Sequence, residues 1–294
     1  MIENFIKRFE CFFDVSLLKH NTYKLDVKCE CLIFPKDIDE LKEILKIIKE
    51  NNFKYYILGN GSNVIFNCDY YDGIIIKLDR LNKINIDNKI VTAESGVSLM
   101  KLSNITIKEN LSGLEFAYGI PGLVGASIAM NAGAYKEELS DKLVSVKLLD
   151  KDLNVIELEK KELNFSYRNS ILKNNKDYIV LECTFKLDDG NKEEMMEKVN
   201  KRKQKRLLTQ PLEYPSAGSV FRNPEGMFAG ELIEKCNLKG YNINGAEVSE
   251  KHANFIINKG GAKGKDIVKL INIIKNKVKE EFDVDLYLEQ IIID

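Results

Sequence analysis

Between Gly119 and Gly133 the chain reads Gly-Ile-Pro-Gly-Leu-Val-Gly-Ala-Ser-Ile-Ala-Met-Asn-Ala-Gly. A glycine inside a helix costs about 1 kcal/mol relative to alanine, so glycines at this density need a reason. Two reasons are open. Small residues let a helix start pack closely on a strand, or they let a flat aromatic cofactor or a pyrophosphate lie against the backbone.

The flanking sequence supplies elements for either arrangement. Asp37 with Glu40 makes a capping-box-like start. Ile38, Leu41, Ile44, Leu45 and Ile48 then share one helical face. Tyr55 to Leu58 and Gly73 to Leu78 read as buried strands. Further strands are predicted at 89–94, 143–149, 154–158 and 178–187, with a helix from Ser98 to about Asn110. A charged helix from Asn191 to Leu208 follows. The last block holds a short helix over Phe228–Cys236 and a strand at Ala253–Ile257. After Gly260-Gly261 comes a helix with Ile267, Leu270, Ile271, Ile274 and Val278 on one face, and then a strand from Val284 to Ile293. Strands and helices mix without strict alternation, which predicts an α+β fold. A chain of 294 residues holds up to three units, read here as 1–79, 80–203 and 204–294.

Charge and composition exclude several functions. With 44 Lys and Arg against 45 Asp and Glu the chain is no polycation. The basic run Lys198, Lys201, Arg202, Lys203, Lys205, Arg206 has no interleaved aromatic residues, so it reads as a solvated helix face rather than a nucleic-acid surface. No run approaches the ~18 apolar residues of a membrane helix. Charges break the first fourteen residues, which lack signal-peptide form. A cytoplasmic, reduced protein without a membrane partner is expected. The six cysteines are scattered, and Cys29 and Cys31, on one side of a strand, read as buried thiols. Only His20 and His252 are available for zinc or a Ser-His triad, and no metal site is expected.

Four places could carry chemistry. Gly59-Asn60-Gly61-Ser62-Asn63 follows a strand, and its amides and side chains suit a diphosphate. It lacks the third glycine of a dinucleotide fingerprint and the Lys-Ser/Thr of a P-loop, and ordinary turn chemistry is the competing reading. Arg168, in Ser166-Tyr167-Arg168-Asn169-Ser170, is one of six arginines, and its planar fork suits a carboxylate if it is not simply a surface side chain. The loop Tyr214–Pro224 is stiffened by prolines around Ser219; Ser219 could be a nucleophile, but Gly-x-Ser-x-Gly is absent and a structural loop is the competing reading. Glu289 sits inside the last predicted strand, either at its edge or in a site.

Taken in order, these runs resemble one family. They include Leu58–Asn63, Ser112–Gly122, Met130–Tyr135 and Ser166–Ser170, then Gln210–Pro224 and Val248-Ser249-Glu250-Lys251-His252-Ala253-Asn254-Phe255. The chain is similar to UDP-N-acetylenolpyruvoylglucosamine reductases over about Asn21 to Ile292. The resemblance implies a two-lobed FAD-binding part of the PCMH/vanillyl-alcohol-oxidase type, followed by a C-terminal α+β substrate domain. It implies non-covalent FAD, held by Gly59, Asn60, Gly61, Ser62 and Asn63 at the pyrophosphate and by Ile120, Pro121, Gly122 and Gly125 near the flavin. NADPH is implied as co-substrate, and a UDP-sugar enolpyruvyl ether of peptidoglycan synthesis as substrate, contacted by Tyr167, Asn223 and His252. Arg168, Ser219 and Glu289 are implied as catalytic. Only nine residues separate Arg168 from Tyr178, so the chain resembles the shorter subtype without the tyrosine-bearing substrate loop. Two rivals stay open: a sugar-lactone or alcohol oxidase, for which His20 would be the flavin tether, and a colourless nucleotide-sugar binding protein.

Overall fold

The structure is a computed structural model describing residues 2–175 and 177–294. It divides into two compact units, each assembled from separated stretches. The first takes residues 1–13, 31–59 and 73–203, and the second takes 14–30, 60–72 and 204–294.

In the first unit, Asp37 caps the helix Ile38–Glu50 by accepting the Glu40 N–H at 2.8 Å. Leu41, Ile44, Leu45 and Ile48 bury their shared face as the spacing predicts. They pack with Ile74, Ile76, Leu149 and Leu181 in one apolar core. A five-stranded antiparallel sheet supplies the other core, in the order Val155–Glu159, Leu143–Leu149, Ile179–Lys186, Ile90–Glu94, Ile84–Asp87. The helices Leu99–Lys108 and Val124–Ala129 are the other main elements of this core, through Leu99, Leu102, Val124 and Ile128.

In the second unit, the helix Gly264–Phe282 buries Ile267, Leu270, Ile271, Ile274 and Val278. An antiparallel sheet runs Asn242–Ile243, Ala246–Val248, Ile256–Asn258. Val64–Phe66 pairs in parallel with Ile291–Ile293. Gly264 lies so close to the Phe66 carbonyl that a Cβ there would overlap it.

The long strand expected over Val284–Ile293 is shortened to Ile291–Ile293. Residues 287–289 instead bond to a loop: the Arg222 N–H donates to the Tyr287 carbonyl and the Glu289 N–H to the Val220 carbonyl, each at 2.9 Å. Alternating burial is therefore met without a ladder. The strand expected at Ala253–Ile257 begins only at Ile256 because Asn254 is drawn into side-chain work. Cys29 and Cys31 are buried on one face, as read from the sequence. The basic helix Lys192–Thr209 is mostly solvated, burying only Met195 and Val199. Among the described residues no helix is long and apolar enough to cross a membrane.

Candidate active site

The strand Tyr55–Ile57 pairs in parallel with Ile74–Ile76 and delivers the chain to Gly59. The Lys77 ammonium is buried below this point, donating to the Gly59 carbonyl at 2.5 Å and lying 3.2 Å from Asp79. Burial pushes its pKa down, and Asp79 opposes that shift. In the second unit the loop continues through Gly61, whose φ is +64°. A Cβ there would run into the His20 carbonyl, and the Gly61 carbonyl accepts the Thr22 N–H at 3.1 Å. This glycine is therefore required by the chain's own backbone. Among the described residues none accepts from the amides of Gly61, Ser62 or Asn63, so three successive donors remain unspent. The Asn63 side chain is committed elsewhere, its Nδ2 donating to the Glu289 carbonyl at 3.1 Å.

The glycine-rich run resolves into a 3-10 turn, Glu115–Gly119, and the helix Val124–Ala129. Gly125 is explained by packing: its N–H donates to the Ser95 carbonyl at 2.9 Å and a Cβ would strike Ser95. Gly122 leaves room for the Ser127 hydroxyl, and its own amide meets no acceptor among the described residues. Beneath this segment the Ser95 hydroxyl is buried without a hydrogen-bond partner among the described residues. Taken separately, the second unit offers unspent amides of the kind that suit a diphosphate, and the first offers an orphaned hydroxyl under a glycine-lined surface of the kind that suits a polar ring edge.

Arg168 stands in a two-residue turn. Ser166 and Asn169 exchange backbone hydrogen bonds at 3.1 and 3.0 Å, leaving Tyr167 and Arg168 at the tip. Arg168 has φ +55°, a conformation that non-glycine residues adopt at a cost. Its side chain is only 15% exposed, and the guanidinium sits in a cradle. Nη2 donates to the Gly133 carbonyl at 2.6 Å and Nη1 to the Asn131 carbonyl at 3.3 Å. Glu138 lies 3.7 Å away, and the Tyr167 ring centroid 5.0 Å. Asn131 ties the cradle together through bonds to Glu138 at 2.7 Å and the Ser166 carbonyl at 3.2 Å. Sequence reasoning did not assign this role to Asn131, Gly133 or Glu138. The one available signal was an asparagine in a glycine-rich turn, a residue that tolerates the φ of +45° found here.

The second unit holds Ser219, Asn223, His252 and Glu289. Gly218 turns the chain at φ +74° immediately before Ser219. The Ser219 hydroxyl is half-buried and meets no partner among the described residues. Buried Asn254 grips the next residues, its Oδ1 accepting the Phe221 N–H at 3.0 Å and its Nδ2 donating to the Phe221 carbonyl at 2.9 Å. The Asn223 Oδ1 accepts the Ala229 N–H at 3.1 Å and so steadies the start of the helix Ala229–Lys235. His252 packs on Phe255 with ring centroids 4.8 Å apart, and its Nδ1 accepts the Asn254 N–H at 3.3 Å. Burial lowers its pKa, which favours a neutral ring with the proton on Nε2. Each unit thus gathers its own group. Gly59, Ile120, Pro121, Gly122, Gly125, Tyr167 and Arg168 belong to the first, and Asn60 to Asn63 with Ser219, Asn223, His252 and Glu289 to the second.

Comparison with known proteins places these groups in a family context. Residues 29–159 match the FAD binding domain family. Residues 210–293 match the family described as UDP-N-acetylenolpyruvoylglucosamine reductase, C-terminal domain. The crystal structure of the UDP-N-acetylenolpyruvylglucosamine reductase from Thermus caldophilus superposes with a TM-score of 0.81 at 31% identity, covering 95% of this chain and 98% of that one. A solvent-stable cholesterol oxidase shares the fold at 16% identity and a TM-score of 0.50, covering 63% of this chain and 39% of that one. The UDP-N-acetylenolpyruvoylglucosamine reductase of Clostridium botulinum strain Okra is 44% identical, covering 98% of this chain and 96% of its own length. That of Clostridium tetani is 45% identical, covering 93% of this chain and 89% of its own. Likeness of this extent in both sequence and fold shows that the chain belongs to the UDP-N-acetylenolpyruvoylglucosamine reductase family.

Proposed function

We propose that the chain reduces the enolpyruvyl ether of UDP-N-acetylglucosamine to UDP-N-acetylmuramate at the expense of NADPH, with Ser219 as the proton donor. The chain is an FAD-dependent oxidoreductase, and FAD, when bound, would supply the hydride chemistry that links NADPH to the methylene carbon of the enolpyruvyl group. The observation carrying this reading is the cradle around Arg168, whose fork is aimed by two backbone carbonyls before any ligand arrives.

Hydride arrival at the methylene carbon pushes the double-bond electrons into the carboxylate, which becomes an enol with two negative oxygens. Arg168 stabilises that charge more in the transition state than in the ground state, because the charge grows during the step. A protonated Glu289 donates a second hydrogen bond to the same enol. Ser219 then places a proton on the α-carbon and recovers one from solvent, which completes reduction of the carbon–carbon double bond. A serine is too weak an acid for most tasks, but an enol carbon is basic enough to take its proton.

The amides of Gly59, Asn60, Gly61, Ser62 and Asn63 hold the pyrophosphate in this reading. Ile120, Pro121 and Gly122 line the flavin, and Gly125 contributes close packing rather than a donor. Tyr167, Asn223 and His252 contact the UDP-sugar, and residues 1–79, 80–203 and 204–294 act as two flavin lobes and a substrate domain. The site of action is the cytoplasm. In the test, the purified protein shows a flavin band that NADPH bleaches and the enolpyruvyl UDP-sugar restores, with UDP-N-acetylmuramate formed in equal amount. A colourless protein, or a flavin reoxidised only by oxygen, overturns the proposal.

A further inference from the structure

Gln290 follows Glu289 and is 4% exposed, an unusual burial for a glutamine. Its Nε2 donates to the Ala217 carbonyl at 3.0 Å and to the Gly218 carbonyl at 3.2 Å. Its Oε1 accepts the Tyr23 hydroxyl at 3.0 Å. The amide can face only one way, because the two carbonyls accept and never donate. Tyr23 is fully buried, and burial pushes its phenol pKa far up, so its hydroxyl remains a donor. Tyr23 is anchored in turn, its carbonyl accepting the Asn258 Nδ2 at 2.9 Å.

The clamp falls at a demanding point of the backbone. The Gly218 carbonyl belongs to the peptide unit that begins Ser219. Gly218 holds a left-handed φ, and a Cβ there would find no neighbouring atom within 4 Å, so packing around this residue does not enforce the turn. On the other side of Ser219, the Val220 N–H donates to the Asn254 carbonyl and the Val220 carbonyl accepts the Glu289 N–H, each at 2.9 Å. Ser219 is thus fixed by its two neighbours, while its own hydroxyl meets no partner among the described residues. A side chain used for proton delivery has to be aimed without being consumed, and this arrangement does so.

We infer that Gln290 is a positioning residue for the Ser219 hydroxyl, acting through the Ala217 and Gly218 carbonyls with Tyr23 fixing its amide. The inference rests on the reading of Ser219 as proton donor. Its consequence is a defect confined to one half of the reaction, since hydride transfer from NADPH does not involve Ser219.

The test compares Gln290→Met, Tyr23→Phe, Ser219→Ala and the Gln290→Met/Ser219→Ala double variant, all as purified FAD-loaded protein. Gln290→Met keeps the volume but leaves two carbonyls and a hydroxyl unpaired. Flavin reoxidation by the enolpyruvyl UDP-sugar is expected to slow about 10- to 100-fold, as for a reacting group displaced by roughly 1 Å, with flavin reduction by NADPH unchanged. Amide exchange across residues 217–221 is expected to quicken about tenfold, a readout independent of turnover. Tyr23→Phe is expected to show the same changes more weakly. In the double variant the Gln290→Met effect should vanish, because there is no longer a hydroxyl to aim. If Gln290→Met does not fold, Tyr23→Phe decides by the same two measurements. An unchanged reoxidation rate, or a Gln290→Met loss that persists in full without Ser219, overturns the inference. Ser219→Ala turning over at the wild-type rate overturns the proton-donor reading itself, a distinct result.

Discussion

Arg168 spends donors on two backbone carbonyls before it meets any ligand. In the proposed role of Arg168, that commitment makes geometry matter as well as charge. Arg168→Lys keeps the charge but cannot hold both carbonyls and a carboxylate at once. We expect flavin reduction by NADPH to be spared, and reoxidation by the enolpyruvyl substrate to slow by about 10²–10³-fold, the usual cost of losing one transition-state donor. Rapid-mixing absorbance at the flavin band separates the two halves, and equal rates in both would remove Arg168 from the carboxylate. Ser219→Ala is expected to cost about 10²–10⁴-fold in reoxidation, with Ser219→Cys recovering part because a thiol still carries a proton. A solvent isotope effect on reoxidation, present in wild type and altered in the alanine variant, is the check. At the loop proposed to hold the FAD pyrophosphate the instructive residue is Ser62. Replacement of Gly61 would collide with the His20 carbonyl and report on folding rather than on the cofactor. Ser62→Asp adds a negative charge beside unspent amides, so FAD occupancy should fall while Ser62→Ala keeps it. The ratio of flavin to protein absorbance after purification measures both.

Elements differ in how openly the sequence announces them. The helix Ile38–Glu50 was legible from a capping signal and an apolar period, and both are realised. Asp37→Ala should therefore cost about 1 kcal/mol in a urea melt, since Asp37 satisfies the otherwise orphaned Glu40 amide. Four of the five strands of the antiparallel sheet were legible from their apolar runs, with Leu143–Leu149 on the expected residues, whereas Ile84–Asp87 was not expected. The strand Cys11–Ser16 was missed because Asp14 interrupts its apolar residues, and Lys28–Ile33 was read only through Cys29 and Cys31 because Lys28 and Glu30 interrupt its run. Burial there follows the pleat, which tolerates charge on the solvent side. Residues 284–290 misled in the opposite sense: they alternate like a strand but bond to a loop. Candidates were legible where chemistry demands a residue type, as at Arg168, Ser219 and Glu289. The clamping side-chain amides of Asn254 and Gln290 carried no such signal, and backbone contributions, as from the carbonyls of Asn131 and Gly133, were opaque. Peptide groups are alike in every residue, so only the fold says which of them point at a guanidinium or a hydroxyl.

For the whole molecule, acid should be destabilising partly through His252. Burial lowers its folded pKa below the ordinary 6.5. As pH falls through 6.5 the unfolded chain takes up a proton that the folded chain resists, so stability complete above that pH is lost toward and through the lowered value. Denaturant melts between about pH 7 and 5 should show this slope flattened in His252→Gln, and an identical slope would assign it to carboxylates instead. Another consequence concerns the order of events in time. Among the described residues Val64–Phe66 pairs with Ile291–Ile293, and the Asn63 side chain closes on a carbonyl 226 positions away. On the ribosome the early segment must therefore wait for nearly the entire chain to be made, with Ile65 and Phe66, both buried when folded, exposed meanwhile. At about 5–20 residues per second that delay exceeds ten seconds, long enough for a chaperone to visit. A nascent chain stalled before Ile291 should accordingly leave residues 60–72 open to a protease that spares them in the finished protein.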